Sequence, residues 1–458
     1  MKRLLVCLLI LCLLPLAVFA EDASDALYPV RVDGLWGYMN REGEIVIEPQ
    51  FPYAAEFRGR YAAVMLDEDE TYCYCGIIDA DGNWAVEPGR FTVWEADQGE
   101  RYIGGRDEGI YILFGEGENY RVGFFDLPSG FYSGLVYDWV EGEWIGEWDS
   151  ELTAVEMDGK DGFVRRTDGE LVIPCRYDAC RYYLFHEGCC AVLPDGAGPD
   201  EWILIDSAGN EIPLPENCYV SGDPSEGLAA IWDSENNLYG YMNFSGNVVI
   251  APQYVWAYDF HEGLACVFLT EESCAVITPE NEIVAVLPDR VNRQGSGYEY
   301  VHGLLRVAHY SEDDDLDYIA FFDHEGREAF RLEIGDLIYA YDLYENGVGF
   351  YVTGKKDPTG GHTDVRYGLY NAAGEILTGP AFFVWENGPE PAFAEGLCAL
   401  TDAETGKMGF IDVTGQWIIA AEWDDAENFY YDLALVEKDG KLAYIDHEGT
   451  TVWEESAP

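Results

Sequence analysis

Groups able to do chemistry are plentiful in this chain, yet few stand at a spacing that chemistry uses. The 458 residues include 86 Asp and Glu, 7 His and 12 Cys. Imidazole serves both metals and proton transfer, so the histidines come first. His186 and His261 lie in Phe-His-Glu-Gly, while His324 and His447 lie in Asp-His-Glu-Gly. One tetrapeptide recurring at separate places marks a turn residue rather than a ligand set. No HExxH, GxSxG or phosphate-loop pattern occurs. Among so many carboxylates some pair always reaches the separation used in glycoside hydrolysis, so no pair stands out. The reading is therefore no enzyme, with no catalytic, cofactor-binding or metal-ligating residue assigned.

Two acidic runs, Asp67-Glu68-Asp69-Glu70 and Glu312-Asp313-Asp314-Asp315-Leu316-Asp317, offer hard oxygens to calcium. Neither has the alternating register of an EF-hand loop. They read as solvated links, with calcium the lesser alternative. A third group is aromatic: Tyr137, Trp139, Trp144 and Trp148, interleaved with Asp138, Glu141, Glu143 and Glu147. Flat rings beside carboxylates can stack on the CH face of a sugar while the acids bond its hydroxyls. Alternating burial along a strand produces the same pattern. These four are the candidate ligand-contact residues. The cysteines contain no CxxC, which argues against zinc. Cys189, Cys190 and Cys266 sit in apolar runs and read as small buried hydrophobes; if a disulfide forms, the stretch Cys175–Cys190 is its place.

The elements that must position these residues are set by charge and by repetition. With 26 Lys and Arg against 86 acids the net charge is −60, which excludes phosphate backbones and anionic lipid as partners. At 48% hydrophobic and 15% aromatic, the chain is no disordered acidic tail. Lys2 and Arg3, the apolar run Leu4–Phe19 and the small residues Val18 and Ala20 predict a signal peptide over 1–20. The mature 21–458 is then expected outside the cytoplasm, secreted or at the cell surface, with no membrane insertion once the signal is removed.

A repeat organises the rest. Leu35-Trp36-Gly37-Tyr38-Met39-Asn40, followed by Gly43 and Pro49, returns as Leu238-Tyr239-Gly240-Tyr241-Met242-Asn243, followed by Gly246 and Pro252. The first-strand glycine or its substitute falls at 37, 76, 123, 162, 203, 240, 275, 320, 368, 409 and 443. The ten intervals average about 41 residues. Each unit reads as a hairpin turning at Asn/Asp-x-x-Gly, with a proline (Pro49, Pro88, Pro215, Pro252 or Pro380) expected to end the second strand. An aromatic-x-x-Gly turn and a short strand follow, as in Phe185–Val192 and Phe260–Val267. No helical period is sustained, so the mature chain reads as all-β.

Leu35-Trp36-Gly37-Tyr38, the Gly43 turn, Pro49 and Glu262-Gly263-Leu264-Ala265 resemble the WG (KWG) repeat of bacterial surface and secreted proteins. The resemblance runs from about Leu27 to Trp453. It implies a repetitive β architecture and an interaction role, and it implies no catalytic residues. A unit of about 41 residues matches one propeller blade. The expected fold is a tandem array of about eleven such units, with propeller-like closure favoured over an open β solenoid and a subdomain break placed within 275–350. The expected function is that of an exported protein-interaction scaffold. A carbohydrate- or cell-wall-binding module is the alternative, and a glycan hydrolase the lesser one.

Overall fold

The computed structural model describes residues 26–456 except 69–72, 95–108, 116–119, 141–150, 182–184, 272, 288–297, 311–315, 345, 357–360 and 384–390. The predicted signal peptide lies outside the described residues. Among them there is no helix; the chain is antiparallel β throughout, with strands hydrogen-bonded to their sequence neighbours in eight sheets. Four sheets have four strands, in plain meander order, such as Cys218–Val220, Leu228–Asp233, Leu238–Asn243 and Val248–Tyr254. Three sheets have seven strands. In two of these a long strand, Trp84–Trp94 or Leu171–Cys180, serves one unit with its first half and the next with its second.

The hairpin signal is a local bonding device. Asn40 Oδ1 accepts the N–H groups of Glu42 (3.1 Å) and Glu44 (2.9 Å). Asn243, Asp323, Asp412 and Asp446 each repeat that pair of bonds with the residues two and four further on. A short polar side chain that mimics a backbone acceptor is what makes Asn and Asp turn formers.

At Pro49, Pro88 and Pro252 the proline does not end the second strand, while Pro215 and Pro380 lie outside the strands. Ile45–Phe51 and Val248–Tyr254 run through Pro49 and Pro252. In the first, Trp36 faces Phe51 and Tyr38 faces Ile47, so residues 48–50 bulge opposite Gly37 alone. A proline is tolerated there because the bulged residues leave the ladder, and the strand is the outermost of its sheet. The bulge also explains the glycine. A Cβ on Gly37 would lie 2.4 Å from the Ile47 carbonyl oxygen, and one on Gly240 would lie 2.4 Å from that of Ile250. The glycine is needed for closeness of approach, not for its torsion.

Interior residues collect between neighbouring units. Leu228, Ala230, Tyr241 and Ile250 of one unit pack on Ala257, Phe260, Ala265 and Val267 of the next. At four junctions the pattern repeats with an edge-on or tilted ring pair: Tyr38–Phe57 (4.7 Å), Phe163–Phe185 (4.8 Å), Tyr241–Phe260 (4.8 Å) and Phe410–Phe429 (4.9 Å). Each buried ring contributes about 1.5–3 kcal/mol, so a unit alone would forfeit most of its stabilisation. Packing continues through 275–350, where the cluster holding Leu305 and Phe322 is followed by one joining Phe321 to Tyr351 and Tyr370.

The two chain ends meet in the same way. Tyr28, Val30 and Met39 form one interior cluster with Leu433 and Tyr444. The Tyr38 hydroxyl donates to the Ala55 carbonyl (2.8 Å) and that of Tyr241 to Tyr258 (2.6 Å), each reaching the following unit. Tyr444, at the matching place in the last unit, donates to Pro29 (3.1 Å). Arg31 bonds both oxygens of Glu455 (2.7 and 2.9 Å), and Arg41 pairs with Asp432 (2.9 Å).

Candidate functional site

The residues that recur on one face belong to the aromatic-x-x-Gly turn. At Phe260-His261-Glu262-Gly263 the chain reverses over two residues, with His261 and Leu264 exchanging both backbone bonds (2.9 and 3.1 Å). Glu262 (φ 52°) and Gly263 (φ 79°) are both left-handed, as a type I′ turn requires. Glu187, Glu226 and Glu395 stand in the same conformation, each before a glycine. Such a φ is costly for a glutamate. A bond made by its side chain offsets the cost. Glu187 accepts the N–H groups of Glu226 (3.0 Å) and Gly227 (2.7 Å). Glu226 then accepts that of Gly263 (2.8 Å), and Glu262 that of Gly303 (2.9 Å). Glu395 does the same for Asp432 (3.0 Å). Each carboxylate thus clasps the turn of the next unit while remaining exposed to solvent.

Two histidines lean on this line. His324 Nε2 lies 2.8 Å from Glu262 Oε2, and His447 Nε2 lies 3.2 Å from Glu395 Oε2. His447 also stacks on Phe429 at 4.2 Å. Glu395, Asp432 and His447 bring one potential metal-ligand atom each within 4.8 Å of one another, the one such group among the described residues. Arg41 already meets the Asp432 charge. The hairpin aspartates flank the same units; the N–H of Arg327 and its side chain hold the Asp323 carboxyl below the usual carboxylate range.

Of the four aromatic candidates, Tyr137 is buried in the interior, stacked on Phe124 at 6.2 Å. Trp139 is half-buried in the short strand Trp139–Val140, tilted against Phe114 at 5.5 Å. Trp144 and Trp148 lie outside the described residues. Of the acidic runs, Asp69, Glu70 and 312–315 also lie outside. The nine described cysteines are free thiols, buried except for half-buried Cys175; no disulfide joins Cys175 to Cys190. Burial pushes the Cys189 thiol up to about 11, which leaves it unreactive. The sequence marks His186 and His261 as turn residues; the neighbouring glutamates carry a fainter signal, Glu-Gly two residues after an aromatic at 187, 262 and 395 and after Pro224 at 226.

Residues 36–68, 162–196, 239–269 and 408–441 match the family model of the WG-containing repeat. These four segments carry the WG repeat pattern. The matched WG-repeat segments start at the first-strand glycine pair and run through the bulge into the turn just described. Trp36, the one tryptophan before such a glycine, packs edge-on to Tyr53 at 6.2 Å and lies beneath Arg31 at 5.7 Å, a packing role. No curated protein matches the sequence. Among solved structures it is similar to the computationally designed Ika8 protein (12% identity, TM-score 0.32, covering 65% of this chain and 94% of that one). It is also similar to a eukaryotic initiation factor (10%, 0.41, 77% and 95%) and to BamB from Moraxella catarrhalis (15%, 0.29, 79% and 95%). At these scores the likeness bears on neither unit number nor activity.

Proposed function

We propose that this WG-repeat protein is an exported, non-enzymatic scaffold that binds a cationic protein partner across its turn face, and that its eleven units close into a ring. One observation carries the functional reading. Glu187, Glu226 and Glu262 occupy equivalent turns of successive units, remain exposed, and are tied to one another through backbone N–H groups. A rigid row of carboxylates at fixed intervals suits recognition of an extended basic segment, since its geometry is set before the partner arrives. Closure is supported by the shared cluster of Tyr28, Val30, Leu433 and Tyr444 and by the Tyr444 bond to Pro29, which treats the first unit as the successor of the last. The eleven interior clusters of the described residues, one per junction, support the unit count.

Selection from a random peptide display library tests the function. Enrichment of Lys- and Arg-rich sequences is expected, with binding reduced at least tenfold in a Glu187→Gln/Glu226→Gln/Glu262→Gln variant. Enrichment without basic residues, or full binding by the variant, overturns it.

A further inference from the structure

A second group of polar side chains lies beside the turn face, and neither the clasps nor the interior uses it. Four residues before the turn glycines Gly227, Gly263 and Gly303 stand Asp223, Asp259 and Glu299. Three successive repeats thus carry a carboxylate at one position. The preceding repeat contributes Arg181 and His186, and His261 Nε2 lies 3.6 Å from Glu299. Burial raises both aspartate carboxyls, Asp259 to about 7. Within that trend Arg181 pulls both down and Glu299 pushes both up, so these groups share one electrostatic neighbourhood.

Three atoms here are buried without a hydrogen-bond partner: Nη1 of Arg181, Oγ of Ser221 and Oδ1 of Asp259. Oδ2 of Asp259 accepts the N–H of Asp223 at 3.0 Å, while Oδ1 rests against Gly222, where a Cβ would meet it at 2.0 Å. Arg181 lies over the Trp202 ring at 5.7 Å. A buried polar atom without a partner forfeits its hydration with nothing in return. The rim is open, since Glu299 is exposed and His261 partly so. Arg181 and Asp259 carry opposite charges and act on one another, yet no ion pair joins them.

We propose that this cluster binds a small zwitterion, an α-amino acid whose carboxylate meets Arg181 and whose ammonium meets Asp259 and Asp223. A simple cation would leave the Arg181 donor unmade. A simple anion would be repelled by three carboxylates. The surplus charge of Glu299 at the rim selects a second ammonium or guanidinium group, so basic amino acids bind best.

Titration calorimetry on the full chain tests this, with L-lysine as probe and cadaverine, its decarboxylated counterpart, as control. The expected result is one saturable lysine site with cadaverine at least tenfold weaker. Arg181→Met lowers lysine to the cadaverine level, and Arg181→Lys restores part of the difference. Glu299→Gln weakens lysine several-fold while leaving L-alanine unchanged. Circular dichroism confirms that each variant is folded. Absence of saturable lysine binding to the wild-type protein, as expected if water alone fills the cluster, overturns the proposal. So does equal binding of lysine and cadaverine, or an Arg181→Met variant that binds as the wild type does. The peptide-display result on the turn glutamates leaves this site untouched, so the two readings fail separately.

Discussion

Asp259 is the residue whose ionisation the fold opposes most clearly. Burial, reinforced by the charges of Asp223 and Glu299, lifts its carboxyl to about 7 against roughly 3.9 in an unfolded chain. A raised pKa means that the folded protein holds the proton more tightly than the unfolded one. The resulting stabilisation is complete below about pH 4 and is lost as pH rises through about 7. Asp259→Asn should therefore raise the melting temperature above pH 7 by about 2–4 °C and flatten its decline between about pH 4 and 7. A thermal melt series across pH checks this, and an unchanged profile would contradict it. Gly37 gives a second test. Alanine there meets the Ile47 carbonyl at 2.4 Å, so Gly37→Ala is expected to cost about 3 kcal/mol or more in urea unfolding. Gly159→Ala, with nothing within 4 Å of its Cβ but φ at 72°, is expected to cost about 1 kcal/mol.

Hairpins and turns are the elements that sequence made legible, because their determinants are local. Asn40 with Gly43, or Phe260 with Gly263, needs no distant partner to specify a reversal. Two features escaped. The strand through Pro49 was read as ending there, since a bulge depends on the neighbouring Gly37 backbone rather than on residues in line. The clasps escaped because Glu187 and Glu262 are two acids among 86, and only the approach of the next unit distinguishes them. The clasps have a direction that amide exchange can detect. In Glu187→Ala the amides of Glu226 and Gly227 should exchange about tenfold faster, while that of Gly263, held by Glu226, should not change. Acceleration on both sides would show that the turns loosen together.

At the scale of the whole molecule, −60 charges are carried by units that cannot bury their faces alone. The N- and C-terminal units meet through Tyr28, Tyr444 and the Arg31–Glu455 pair, so the particle should scatter as a compact object. The globular relation gives a radius of gyration of about 22 Å; a value near twice that would reject closure. Arg31→Glu should destabilise the protein by about 1 kcal/mol at low salt, and adding Glu455→Arg should recover most of it. The one-way clasp has a consequence for copy number. The units of Glu226 and Glu262 each offer a glutamate to the successor and receive one from the predecessor, so inserting or excising such a unit leaves every amide matched. Units at the chain ends lack that freedom, because Arg41 of the first pairs with Asp432 of the last. Lengthening or shortening by duplication is thus cheap inside the array and costly at its ends.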